Sequence, residues 1–117
     1  MAFPDRIERT VEVAHPPATV WAALTTAEGF TARMRVERVE APVVFGYTWE
    51  IFGLPEDDPR RTYVEFTLEP AGAGTRLTVV ETGFAQLPED VYRKAFDGNT
   101  QGWASELGEL VAYLDAA

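Results

Sequence analysis

From Thr62 to Phe84 the apolar residues keep a period of two on both sides of one glycine-rich turn, and beyond Leu87-Pro88 they switch to a helical period. Val64, Phe66 and Leu68 face one way, and Tyr63, Glu65, Thr67 and Glu69 the other, which is the pattern of a half-buried strand. Ala71-Gly72-Ala73-Gly74 reads as a hairpin turn, so Thr75–Phe84 returns antiparallel, with Leu77, Val79 and Glu81 on one parity. Trp103, Leu107, Leu110 and Leu114 then recur at helical spacing, with Val111 widening the stripe. An isolated hairpin is marginal in water. The hairpin's apolar face and the helix's apolar stripe therefore predict a sheet that covers itself with its last helix.

The rest of the chain supplies more strands and little helix. Ile7, Val11 and Val13 share a parity opposite Glu8, Thr10 and Glu12, predicting a first strand that ends at His15-Pro16-Pro17. Pro17 suits a first helical turn, and Val20, Trp21 and Leu24 give that helix an apolar face. Thr25 or Thr26 caps a second short helix expected to run to about Met34, with Glu28 in its first turn. Val36 and Val39 mark a short strand before Ala41-Pro42. Val43–Phe52 is dense in β-branched and aromatic residues, with Phe45, Tyr47, Trp49 and Ile51 on one face. Leu54–Arg61 is a polar, proline-punctuated connection. Glu89 and Asp90 favour the start of the last helix, and Asp97-Gly98-Asn99 predicts a kink or break in its middle. The order is β-α-α-β-β-β-β-α, an α+β fold.

The 117 residues suit one domain spanning residues 1–117. Ten Lys and Arg against 19 Asp and Glu give a net charge of −9, which argues against nucleic acid and against an anionic membrane as partners. Without cysteine there is no disulfide, thiolate nucleophile or cysteine-based zinc site, and one histidine leaves few metal or Ser-His templates. No stretch approaches the ~20 apolar residues of a membrane span, and the charged N-terminus has no signal-peptide core. The expected location is the cytoplasm, and no cofactor or metal is implied.

Four stretches, taken together and in order, resemble a known superfamily. They are Thr10–Thr25 (Thr-Val-Glu-Val-Ala-His-Pro-Pro-Ala-Thr-Val-Trp-Ala-Ala-Leu-Thr), Tyr47-Thr-Trp-Glu50, Gly74–Phe84 (Gly-Thr-Arg-Leu-Thr-Val-Val-Glu-Thr-Gly-Phe), and Gly102-Trp103 followed by Leu107, Leu110 and Tyr113-Leu114. The chain resembles the START-like, helix-grip (SRPBCC) superfamily, and more narrowly its bacterial AHSA-like branch, the activator-of-heat-shock-ATPase homologues. The resemblance implies a curved antiparallel sheet wrapped around a long C-terminal helix. Such proteins usually carry about two more strands before the Tyr-Thr-Trp-Glu stretch, so a trimmed sheet is expected here.

Binding of a small hydrophobic or amphipathic molecule between sheet and C-terminal helix is the function the resemblance implies. Two alternatives are a small cyclase- or hydrolase-type enzyme, which needs paired polar groups such as Glu81 with Tyr47 or Tyr63, and a chaperone-ATPase activator. Tyr47, Trp49, Phe66, Val79, Trp103 and Leu107 are the candidate pocket walls, although the same residues also serve as ordinary core. Glu81 is the anomaly among them: a carboxylate on the Leu77–Val79 face costs free energy unless it is hydrogen-bonded or neutralised. It is the candidate polar anchor; the alternative is that the strand ends or bulges before residue 81 and leaves Glu81 in water. His15 in its proline turn is read as a structural or solvated residue rather than a base, and the Glu56-Asp57-Asp58 cluster as a solvated hairpin tip rather than a calcium site. The sheet's cut edge at Arg35–Glu40 exposes unpaired backbone groups and predicts a homodimer.

Overall fold

A computed structural model describes residues 5–26, 34–51, 54–55 and 57–116. The elements run β1 (Arg6–Val13), α1 (Pro17–Thr26), β2 (Met34–Glu40), β3 (Val44–Glu50), β4 (Arg61–Ala71), β5 (Gly74–Thr82), a 3-10 turn at Phe84–Gln86, and α2 (Glu89–Ala116). All strands pair antiparallel in one five-stranded sheet of order β1-β5-β4-β3-β2. This is the α+β helix-grip arrangement, with the sheet curved around a long C-terminal helix. The second short helix expected after α1 falls mainly on residues 27–33, outside the described residues; Met34, its expected end, already belongs to β2.

The period-two pattern sets the register. Ala71 pairs with Gly74 across a two-residue loop, and Gly72 takes φ 60°, a left-handed conformation that glycine adopts without penalty. Phe66 then faces Val79, and Val64 faces Glu81. Ile7, Val13, Phe45, Tyr47, Val64, Phe66, Leu68, Leu77 and Val79 form the buried concave face. Val20 and Leu24 of α1, with Trp103, Leu107 and Leu114 of α2, close over it.

The break expected at Asp97-Gly98-Asn99 does not occur: α2 is continuous over 28 residues. A Cβ at Gly98 would meet nothing within 4 Å, so the glycine marks an exposed surface of the helix and no close approach. Interior glycine lowers helix stability by about 1 kcal/mol, which the packing of Ala95, Trp103 and Leu107 on either side outweighs. Among the described residues no helix is long and apolar enough to cross a membrane.

Candidate functional site

Glu81 lies on the concave face and is fully buried, at 0% exposure. It sits there because strand parity leaves no choice: two residues after Val79 and four after Leu77, it must point at the helix. Side chains from three further elements donate to it. From β3, Trp49 Nε1–H reaches Oε2 at 2.9 Å; from β4, Thr62 Oγ1 donates to the same oxygen at 2.5 Å. From α2, Trp103 Nε1–H reaches Oε1 at 2.8 Å, and the Asn99 amide spans both oxygens at 2.9 and 3.0 Å. Trp49 Nε1–H also shares Thr62 Oγ1 at 2.9 Å. The desolvation that makes a buried carboxylate costly is met by donors throughout.

The local sequence explains why these groups converge. Trp49 pairs with Thr62 across β3 and β4, and Val64, two residues on, pairs with Glu81. Residues at i and i+2 share a face, which sets Trp49 and Thr62 diagonally beside the carboxylate. Asn99 and Trp103 are four apart on α2, one turn along the same helix face.

An aromatic cluster surrounds the cage. Trp49 and Trp103 stack with centroids 5.5 Å apart, and Phe66 meets Trp103 edge-on at 5.6 Å. Tyr47 contacts Trp49 at 5.4 Å and Phe66 at 6.3 Å. Burial first, and then the charges of Glu81 and Glu106, push the Tyr47 phenol well above its ordinary pKa, so it stays neutral at physiological pH.

Of the residues anticipated as pocket walls, Tyr47, Trp49, Phe66 and Trp103 therefore pack against one another beside the Glu81 carboxylate, and Val79, opposite Phe66 in the sheet, belongs to the same core. Leu107, one turn farther along α2, has a different setting. It lines a groove of about 390 Å³ between β1 and α2, together with Arg9, Thr10, Val11, Ala104, Gly108 and Val111. Sequence reasoning missed Thr62 and Asn99. Thr62 shares the parity of Val64 and Phe66, and Asn99 precedes Trp103 by one helical turn; those spacings were the available signals.

The residues set aside earlier sit elsewhere. His15 Nε2 meets Asp115 Oδ1 at 3.0 Å, tying the β1–α1 turn to the end of α2. Tyr63 lies on the convex face, its hydroxyl donating to Glu65 at 2.9 Å, so it cannot share a pocket with Glu81. Asp58 is engaged by the Arg60 guanidinium, which holds its carboxyl down at about 2. Glu56 lies outside the described residues.

Comparison with known proteins is consistent with this architecture. The family described as Activator of Hsp90 ATPase homolog 1-like protein matches residues 26–115. A protein from Mesorhizobium loti superposes with a TM-score of 0.78 at 26% identity, over 96% of this chain and 98% of that one. A protein of the dynemicin biosynthetic locus superposes with a TM-score of 0.75 at 21% identity, over 97% of this chain but 48% of its own. The Aha1 dimer from Colwellia psychrerythraea gives 0.67 at 15% identity, over 91% and 92% of the two chains. No curated protein matches the sequence.

Proposed function

This chain belongs to the Activator of Hsp90 ATPase homolog 1-like family, and from that premise we propose that it binds a small apolar or amphipathic molecule between the sheet and α2. The observation that carries the reading is the groove beside Leu107. Its volume of about 390 Å³ falls within the roughly 300–1,000 Å³ of small-molecule sites. Val11, Ala104, Leu107 and Val111 offer it an apolar floor, and Arg9 stands at its rim. Arg9 is exposed and pairs with Val79 in the sheet, so it falls on the concave parity, where a cation can meet the polar end of an amphipath.

The Glu81 cage has a supporting part in this reading. Tyr47, Trp49, Phe66, Val79 and Trp103 form the fixed wall behind the groove, and Glu81 orients the two indoles. Both indole N–H groups can only donate, so they hold the carboxylate as an acceptor. The cysteine-free, acidic sequence supports a cytoplasmic setting. The assembly proposed with this function is a homodimer, the state of the Colwellia relative.

Native mass spectrometry of freshly purified protein is expected to show a retained small molecule that denaturation releases. Titration with the apolar anionic dye anilinonaphthalene sulfonate is expected to give saturable emission. Finding neither a retained mass nor dye binding overturns the reading.

A further inference from the structure

The edge strand β2 carries the sequence Arg35-Val36-Glu37-Arg38-Val39-Glu40, and among the described residues it has no strand on its outer side. Its pairing with β3 slips by one residue: Val36 faces Tyr47, but Arg38 faces Gly46, leaving Glu37 as a bulge. Directly opposed residues share a face of the sheet. Val36 and Val39, opposite buried Tyr47 and Phe45, are therefore on the concave face; Arg35, Arg38 and Glu40, opposite Thr48, Gly46 and Val44, are on the convex face. Glu37 joins them there, accepting from the Thr48 hydroxyl at 3.4 Å, while Arg38 reaches Glu65 at 3.2 Å.

We propose that two copies of this chain join through β2, antiparallel about a two-fold axis between Glu37 and Arg38, so that one sheet runs through both. The proposal rests on the homodimer reading above and adds to it the surface and the register. In this register Arg35 lies opposite Glu40 of the second copy, Val36 opposite Val39, and Glu37 opposite Arg38. Each opposed pair is then Arg with Glu or Val with Val.

The bulge is what permits it. In a regular strand neighbouring residues point to opposite faces, so an axis between two residues would set convex side chains against concave ones. With Glu37 bulged, Glu37 and Arg38 both face the convex side, and the facing pattern reads the same from either end of the strand. Charge on an edge strand ordinarily keeps chains apart. Here the signs alternate about the axis, so a second copy in this register meets complementary charge and most other registers do not. Val36 and Val39, 49% and 58% exposed, are large apolar residues left on this edge, and the pairing covers them. The ion pairs of Arg35 with Glu37 and of Arg38 with Glu40 along the strand are exposed, so exchanging them for pairs across the axis costs little.

The test uses two charge-reversed chains, Arg35→Glu with Arg38→Glu and Glu37→Arg with Glu40→Arg, each checked for native circular dichroism. Sedimentation equilibrium at high micromolar concentration should give two-chain mass for the unaltered protein and one-chain mass for each altered chain. Mixing the two altered chains should restore two-chain mass as a heterodimer, because the reversed signs then oppose each other in every pair. That rescue separates pairing of β2 with β2 from simple loss of stability, and single reversals read the register: Arg35→Glu should regain two-chain mass when mixed with Glu40→Arg, its opposed position, and not when mixed with Glu37→Arg. One-chain mass for the unaltered protein overturns both the dimer and its register. Two-chain mass in all three proteins, or failure of the mixture to associate, overturns the register while leaving a dimer through another surface. Mass that keeps growing with concentration overturns the two-fold in favour of open-ended pairing of β2 with β1.

Discussion

Two adjoining stretches of α2 meet the same concave sheet in opposite ways. At Asn99 and Trp103 the helix presents an amide and an indole, and the sheet answers with Glu81, Thr62 and Trp49; the contact is closed and satisfied by hydrogen bonds. At Ala104 and Gly108 it presents almost nothing, and a groove of about 390 Å³ remains against β1. The difference lies in side-chain size and donor count, not in backbone path, since the helix is continuous through both. One end of the interface is filled and hydrogen-bonded, and the other is left open.

The sharpest way to break that contrast is at Trp103. It is 4% exposed, stacks on Trp49, meets Phe66 and donates to Glu81. Trp103→Ala is expected to cost about 3–5 kcal/mol by the general scale for large-to-small core changes, read by urea denaturation. A loss below about 1 kcal/mol would mean that the helix does not depend on the cage.

A smaller effect is expected at Glu81, where the change is in donors and not in volume. Glu81→Gln replaces one acceptor oxygen by an NH₂ group. Thr62 can rotate its hydroxyl and Asn99 can turn its amide, but an indole N–H cannot become an acceptor. With its NH₂ toward Trp103 the glutamine leaves that indole N–H facing a donor, at a cost of about 1–3 kcal/mol; with its NH₂ toward Trp49 that indole keeps the Thr62 hydroxyl oxygen at 2.9 Å, so the loss is expected at the lower end of that range. Replacing the opposed tryptophan by phenylalanine (Trp49→Phe or Trp103→Phe) in the Glu81→Gln background should recover part of that loss in a double-mutant cycle. Strictly additive losses would show that the cage is not a coupled network.

These two residues also mark how far the sequence could be read. The strand alternation of Val64, Phe66 and Leu68, the glycine turn at 71–74 and the Trp103–Leu114 stripe were sufficient for the hairpin and its helix, because each repeats one geometric period several times. Glu81 was visible for the same reason, as the residue that breaks the apolar parity. Its partners were harder. Trp49 and Trp103 show in the pattern as apolar bulk, while their N–H groups matter only once β3 and α2 are brought to the same carboxylate. Asn99 was read with Asp97 and Gly98 as a helix weakness; its amide has a purpose only across the sheet–helix interface. The groove was also illegible, since small residues at 104 and 108 leave space only if β1 stands opposite them.

The last and smallest effect is at Gly108. A Cβ there would meet nothing within 4 Å, and the same is true of Gly98 and Gly102. Alanine at any of the three should stabilise α2 by up to about 1 kcal/mol, the helix-propensity difference, measured as a rise in denaturant midpoint. Only Gly108 lines the groove. Gly108→Leu is therefore expected to keep the stability gain while placing its side chain where anilinonaphthalene sulfonate would sit, so that dye emission falls toward the unbound level. Gly98→Leu and Gly102→Leu, on the same helix but outside the groove lining, should leave dye binding unchanged. If Gly108→Leu binds the dye as the unaltered protein does, the groove beside Leu107 is not the binding site, and the contrast between the two stretches of α2 reduces to one of packing alone.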